Sequence, residues 1–173
     1  MLNICQVSLE RDIPIILENF YSFKKIYQSF RIFIICPASE IKVFKKKLNY
    51  DEFKFINEND LISIQEFKAI YEDLSVLNKH QELLKNRLSW YYQQVLKLSF
   101  IVQFVEHNRE NIIIWDADTL ILKKIEFFKN RKSIPYGTLF EFHKHYFKTN
   151  NSIIGELPKY FISSLVQFVA LSV

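Results

Sequence analysis

The sequence has 173 residues, of which 49% are hydrophobic and 16% aromatic, enough to bury the core of one domain. Its formal charge of +4 comes from basic residues scattered among acids, which excludes a continuous basic stripe for nucleic acid. No apolar run approaches the roughly 20 residues that a membrane-spanning helix needs, and the opening residues lack a signal-peptide pattern. We expect a cytoplasmic protein, either free or at the inner face of the membrane.

The N-terminal third predicts alternating strands and helices. Ile4–Val7 is a short apolar strand, and a turn separates it from a helix predicted over Ile13–Gln28, whose apolar residues recur at helical spacing. Arg31–Pro37 is a continuous apolar run that ends at proline, as expected of a buried parallel strand. Cys5 and Cys36 fall in these two runs without the CxxC spacing of a metal or redox site, so we expect two buried thiols.

The same pattern continues through the next segment. Ser39 is predicted to cap a helix that runs to about Leu48, and Phe53–Asn57 is a weaker third strand. Together these elements predict β-α-β-α-β, the beginning of a doubly wound sheet.

A long helical region and a fourth strand follow. Residues 63–104 are largely helical, with a break at 86–89 and a second helix capped by Ser89. Ile112–Trp115 is an apolar strand that ends at Asp116. No internal repeat or low-complexity linker divides the sequence, so we expect one domain.

Asp116 and Asp118 directly follow this strand in the segment "IIIWDADTLIL". Open α/β sheets bind their ligands at the carboxyl ends of the strands, and a turn there can bring both carboxylates to one ion. Oxygen ligands suit Mg²⁺ or Mn²⁺, which removes the repulsion between two close carboxylates and neutralises a bound diphosphate. The alternative is structural, because aspartates often end strands as turn residues.

One enzyme class with such a motif is the haloacid-dehalogenase-like phosphatases. They end a strand with Asp-x-Asp-x-Thr, whose first aspartate is the nucleophile. Thr119 here follows the second aspartate directly, one position too early, and the motif lies late in the chain. The phosphatase stays as the alternative function.

A second resemblance rests on several blocks in order. These are "VSLERD", "RIFIICP", "FINENDL", "WYYQQVLKL", "IIIWDADTLIL" and "EFHKHYFKTNNSIIG", which span about Ile4 to Phe168. In these blocks the sequence resembles a bacterial glycosyltransferase-like family of the GT-A fold, with an Asp-x-Asp motif, found among surface-polysaccharide genes. The combination of W-x-x-Q-Q-x-x-K-L with I-x-W-D-A-D is more specific than Asp-x-Asp alone.

The resemblance implies an α/β fold, a GT-A-like (Rossmann-like) mixed sheet flanked by helices. Residues 1–173 would form a single domain, with a nucleotide-sugar-binding half at 1–122 and the start of an acceptor half at 123–173. Because the resembling family continues past the last residue, the resemblance also implies a C-terminally truncated chain. An inactive remnant that binds nucleotide sugar is therefore a further alternative.

The helix before the motif has an unusual face. Trp90, Gln94 and Lys97 are spaced i, i+4, i+7 and share one side of a helix, with Gln93 at its edge. The resemblance implies that this helix borders the donor-sugar pocket and that Lys97 supplies a point charge for the diphosphate. The alternative places Trp90 in the core and the three polar side chains in solvent.

The resemblance implies roles for further residues. Ser8 and Asp12 would lie near the nucleotide base and ribose, although Asp12 could equally cap the next helix. Asp116 would contact ribose and metal, and Asp118 would bind the metal. His143 would lie on the acceptor side, with an ordinary surface histidine as the alternative.

The implied function is metal-dependent transfer of a sugar from a nucleotide-diphosphate sugar to a glycan or lipid-linked acceptor in surface-polysaccharide synthesis. Mn²⁺ or Mg²⁺ would stabilise the departing diphosphate. The sequence names no catalytic base, so inversion and retention at the sugar both stay open.

Overall fold

The computed structural model describes residues 1–76, 87–130, 132–134 and 168–171. Its strands are β1 (Leu2–Val7), β2 (Phe30–Cys36), β3 (Phe53–Asn57), β4 (Ile112–Trp115), β5 (Phe128–Lys129), β6 (Lys132–Ser133) and β7 (Phe168–Leu171). Its helices are α1 (Ile13–Ile26), α2 (Ile41–Lys47), α3 (Ile64–Val76) and α4 (Leu88–Asn108), and single 3-10 turns lie at Glu10–Asp12 and Glu58–Asp60.

Among the described residues, the main sheet has the strand order β3-β2-β1-β4-β7. Strands β3, β2, β1 and β4 are parallel, and β7 pairs with β4 in the antiparallel sense. β5 and β6 form a separate antiparallel pair. The predicted α/β architecture with a mixed sheet is confirmed at this level.

Alternate residues of β1 face two different cores. Ile4 belongs to a cluster with Phe20 and Phe23 of α1, whereas Cys5 belongs to a cluster with Leu96 and Phe100 of α4. Strands with helices on both faces are apolar at successive positions, which explains the continuous apolar runs in the sequence. The central strands are thus buried between two helical layers.

Several predicted boundaries were close and two predicted caps were wrong. α2 begins at Ile41 after Glu40, because the residues before it form a turn in which the Glu40 amide donates to the Pro37 carbonyl at 2.9 Å. α4 begins at Leu88, and Arg87 accepts its first hydrogen bond, from the Tyr91 amide at 3.0 Å. Ser39 therefore precedes the cap position and Ser89 lies inside the first turn.

Both predicted thiols, Cys5 and Cys36, are buried and reduced. None of the helices within the described ranges is both long and apolar enough to cross a membrane.

Candidate functional site

The site lies where the order of the strands reverses. From the central strand β1 the chain moves outward to β2 and β3, and then returns to β4 on the other side of β1. The connections that leave β1 and β4 therefore diverge, which leaves a crevice at the carboxyl ends of the two strands.

A cleft of about 300 Å³ occupies this crevice. It is lined by Val7, Arg11, Asp12, Ile15, Trp90, Gln93, Gln94, Lys97, Asp116, Ala117 and Asp118. Two other depressions are larger and more open to solvent; one lies beside β3 and the other next to the start of α1. The lining of each includes at most one carboxylate. The cleft at the strand ends thus brings together most of the residues that the sequence predicted.

Three hydrogen bonds hold the turn that carries the two aspartates. The Thr119 amide donates to the Asp116 carbonyl at 3.0 Å, and the Trp115 indole Nε1 donates to the Thr119 carbonyl at 2.6 Å. From α1, Nδ2 of the fully buried Asn19 donates to the Ala117 carbonyl at 2.7 Å. The turn is therefore fixed from both the strand before it and the helix beneath it.

Lys97 and Asp116 form the central ion pair of the cleft. Lys97 Nζ donates to Asp116 Oδ1 at 2.6 Å, and their side chains are 7% and 48% exposed. Because an ammonium group removed from water needs a compensating charge, the pair explains how Lys97 can be buried. The alternative that placed Lys97 in solvent is wrong.

Cys5 lies on the sheet near the Lys97 charge. Burial raises the pKa of Cys5 to about 12, and the positive charge of Lys97 only partly opposes this effect. Cys5 is therefore a neutral thiol at neutral pH. Asp116 is left as the ion-pair partner of Lys97 among the described residues.

Asp118 differs from Asp116 in its surroundings. Its side chain is exposed and makes no hydrogen bond or ion pair with another residue in the described part of the chain. Across the same ranges, no group of three or more His, Cys, Asp or Glu side chains is placed to hold a metal ion. A pair of carboxylates suits Mg²⁺ or Mn²⁺ when phosphate oxygens and waters complete the coordination, so the residues fit a metal bound together with a phosphate ligand.

The α4 wall of the cleft presents an aromatic ring and two amides. Trp90 is 47% exposed, so the alternative that placed it in the core is wrong. Gln93 and Gln94 are half-buried and make no hydrogen bond to other residues that the structure describes. An exposed indole can stack on a sugar or base, and free amides can hydrogen-bond to hydroxyl groups.

Asp12 lies on the opposite wall, beside Arg11. Its Oδ2 accepts a hydrogen bond from the Leu9 amide at 2.8 Å, and its Oδ1 lies 3.8 Å from Arg11 Nε. Although Asp12 directly precedes α1, its side chain makes no capping bond into that helix. The carboxylate instead closes the 3-10 turn and lines the cleft.

One predicted residue is not brought into the cleft, and another cannot be placed relative to it. Ser8 follows β1 and is 2% exposed, with no hydrogen-bond partner for its hydroxyl group in the described structure. It does not line the cleft. His143 lies outside the described residues.

Sequence reasoning missed Arg11 and the anchoring role of Asn19. Asn19 had a visible signal, since it is a polar residue between Ile16 and Phe20 on the apolar face of α1. For Arg11, the sequence contained no signal of a role in the cleft other than its place in the turn after β1.

Comparison with known proteins adds no assignment. No family model matches the chain, and no curated protein matches it significantly. The geometry of the cleft is therefore the basis on which a function can be proposed.

Proposed function

We propose that the cleft binds a nucleotide-diphosphate sugar with Mn²⁺ or Mg²⁺, and that the protein transfers the sugar to a glycan or lipid-linked acceptor. The observation that supports this most is the pairing of a buried ammonium with one of two carboxylates at the strand-order reversal. Such a site offers oxygen ligands for a metal and a fixed positive charge for phosphate, side by side.

Asp118 and the second oxygen of Asp116 would hold the metal. Both belong to a turn fixed by hydrogen bonds, so they need little rearrangement to act as ligands. When bound, the metal supplies electrostatic stabilisation to the diphosphate as it leaves the sugar.

Lys97 would contribute a second positive charge to the same diphosphate. Its side chain is only 7% exposed, so its interaction with an anion is weakened less by water than that of a surface lysine. Its position on α4 is fixed by the packing of Leu96 and Phe100, which lie on the same helix in the core.

The sugar and the nucleoside would occupy the two remaining walls. Trp90, Gln93 and Gln94 offer stacking and hydrogen bonds to a sugar ring. Asp12 is placed across the cleft, where a carboxylate oxygen can accept a hydrogen bond from a ribose hydroxyl. In the transfer, the bond from the anomeric carbon to a phosphate oxygen would break, and the nucleoside diphosphate would leave with the bonding electron pair. The acceptor oxygen would bond to the anomeric carbon and give up its proton to water.

Thermal unfolding with a panel of UDP- and GDP-sugars, with and without Mn²⁺, tests this proposal. At about 100 times the dissociation constant, a ligand stabilises by about 2.7 kcal/mol, or roughly 5–10 °C for a chain of this size. We expect this shift to need Mn²⁺ and to vanish in Asp118→Asn. The control is Asp51→Asn, an exposed aspartate in the turn before β3.

Stabilisation that needs neither Mn²⁺ nor Asp118 would overturn the proposal. Hydrolysis of a generic phosphoester in Mg²⁺, lost in Asp116→Asn, would support the phosphatase instead. Metal-dependent binding without release of nucleotide diphosphate, with or without glycan acceptors, would indicate a donor-binding protein that has no transferase activity.

A further inference from the structure

The ionic groups of the cleft are almost fully paired with one another. Two cations, Arg11 and Lys97, face three carboxylates, those of Asp12, Asp116 and Asp118. Arg11 lies 3.8 Å from Asp12, and Lys97 lies 2.6 Å from Asp116. In the described chain, Asp118 alone among these carboxylates lacks a cationic partner.

This pairing limits what the cleft can offer to a metal ion. A divalent cation that uses both aspartates of the turn must share Asp116 with an ammonium group already bound to one of its oxygens. The ammonium group and a metal ion bound to the same carboxylate repel each other, and the repulsion is stronger where water is excluded.

The side chain of Lys97 cannot easily move away from Asp116. Its side chain is 7% exposed, whereas that of Arg11 is 79% exposed and free to turn into solvent. Lys97 also lies on α4 directly after Leu96, which is fully buried in the core. The ammonium group therefore stays beside Asp116 until another anion reaches it.

We infer that Lys97 makes metal binding conditional on a diphosphate. Without the diphosphate, the ammonium group competes with Mn²⁺ or Mg²⁺ for Asp116. The diphosphate supplies anionic oxygens to both the ammonium group and the metal, so metal and diphosphate bind cooperatively. This inference rests on the site of the proposed function and adds to it the residue that controls the order of assembly.

Equilibrium dialysis tests the inference without any nucleotide or sugar. Bound Mn²⁺ is measured at buffered free Mn²⁺, with and without inorganic pyrophosphate, for the wild type, Lys97→Met and Lys97→Arg. In the wild type we expect pyrophosphate to raise the affinity for Mn²⁺ by about 5- to 150-fold, the usual range of coupling between two ligands. Equal affinity with and without pyrophosphate would overturn the inference on the wild type alone.

The variants separate charge from shape. Methionine keeps the length of the lysine stem without its charge, so Lys97→Met should bind Mn²⁺ alone about tenfold more tightly than the wild type. Its coupling with pyrophosphate should be weaker by the same factor, and the part that comes from direct contact between metal and diphosphate should stay. Lys97→Arg keeps the charge and should retain the coupling. Unchanged or weaker binding of Mn²⁺ to a folded Lys97→Met would overturn the inference.

The result is distinguishable from failure of the proposed function. Adding Asp118→Asn to Lys97→Met should abolish the gained Mn²⁺ binding, which locates the metal at the turn. Tight Mn²⁺ binding by Lys97→Met would support the inference even if no nucleotide sugar stabilised the wild type. Coupling between Mn²⁺ and pyrophosphate that is as strong in Lys97→Met as in the wild type would contradict it even if nucleotide sugars bound.

Discussion

The two partners of the central ion pair differ sharply in their exposure to water. Lys97 is almost fully enclosed, whereas about half of the Asp116 side chain is open to the cleft. An exposed carboxylate that loses its partner can be hydrated, but a buried ammonium group cannot. The pair is therefore asymmetric, and the two single substitutions have different consequences.

Asp116→Asn should destabilise the fold more than Lys97→Met. The first leaves a buried ammonium group without a counterion, which costs about 1–3 kcal/mol for a partly enclosed site. The second leaves a carboxylate that water can reach, and methionine keeps the packing of the lysine stem. Urea unfolding at neutral pH measures both free energies, and a larger loss in Lys97→Met would contradict this account.

Glu58, in the 3-10 turn after β3, gives the fold a pH dependence of its own. Burial raises the pKa of Glu58 above its usual 4.5, and the charge of Glu40 adds to the rise. When the pKa of a carboxyl group is higher in the folded state, the fold becomes less stable as the pH rises from about 4.5 through that raised value. Glu58→Gln should therefore raise the free energy of unfolding at neutral pH and have no effect below pH 4.

Glu66 provides a contrast of opposite sign. Hydrogen bonds from Ser63 lower the pKa of Glu66, and the bond from its side chain has a larger effect than the bond from its backbone. The ionised Glu66 therefore stabilises the fold at pH values above its usual pKa of 4.5, and this stabilisation is lost as the pH falls through the lowered pKa. Glu66→Gln should thus destabilise at neutral pH only. Unfolding curves at neutral pH should shift in opposite directions for Glu58→Gln and Glu66→Gln. A loss of stability in Glu58→Gln would contradict the first assignment, and a gain in Glu66→Gln would contradict the second.

At the scale of secondary structure, each helix beside the cleft has one face toward the cleft and one face toward the core. α4 packs Leu96 and Phe104 against the sheet while it presents Trp90 and Lys97 to the cleft. Burial of each large apolar side chain contributes about 1.5–3 kcal/mol, so these helices are held by their cores and not by the cleft. Polar residues of the site can then change without loss of the fold.

Asn19 on α1 is the clearest test of this division. Asn19→Leu removes the hydrogen bond to the Ala117 carbonyl but keeps a side chain of similar size in an apolar layer. We expect little loss of stability, because the Oδ1 of Asn19 already lacks a partner among the described residues. The turn should become looser, and affinity for Mn²⁺ with pyrophosphate should fall about 2- to 10-fold.

A matched control is available for Asn19. Asn3 is also a buried asparagine near the amino end of β1, and its Nδ2 donates to the Asn111 carbonyl at 3.0 Å and to Glu110 Oε2 at 2.9 Å. Asn3→Leu removes both of these bonds far from the turn, so it disturbs the fold at least as much as Asn19→Leu and should still leave ligand affinity unchanged. Equal losses of affinity in both variants would show that Asn19 acts on overall stability instead of on the turn.

At the scale of the whole molecule, the strand order determines where the site lies. The return of the chain from β3 to β4 across β1 places the D-A-D turn beside the end of the central strand. Apolar runs predicted β1, β2 and β4 because these parallel strands are buried on both faces, whereas the edge strand β3 is mostly half-buried and gave a weaker pattern. The acids after β4 marked the edge of the sheet where the candidate site lies. The α/β class and the residues that line the candidate cleft were therefore within reach of sequence patterns.

Contacts between segments that are far apart in the sequence could not be predicted from such patterns. Asn19 and Ala117 are 98 positions apart, and their hydrogen bond depends on how α1 packs against the end of β4. Helical spacing placed Lys97 and Trp90 on one face, but it did not show that one is buried and the other exposed. The caps predicted at Ser39 and Ser89 were wrong because neighbouring backbone turns, which local residue preference does not encode, set the first turn of each helix.

Tryptophan fluorescence tests the central claim most directly, because of the two tryptophans in the chain one lines the cleft and the other is hydrogen-bonded to the D-A-D turn. Trp90→Phe leaves Trp115, whose indole donates to the Thr119 carbonyl in the D-A-D turn. Titration of this variant with UDP or GDP should give a saturable change that requires Mn²⁺ and disappears when Asp118→Asn is added. A change of equal size without Mn²⁺, or in the Asp118→Asn background, would contradict a metal-diphosphate site at this turn.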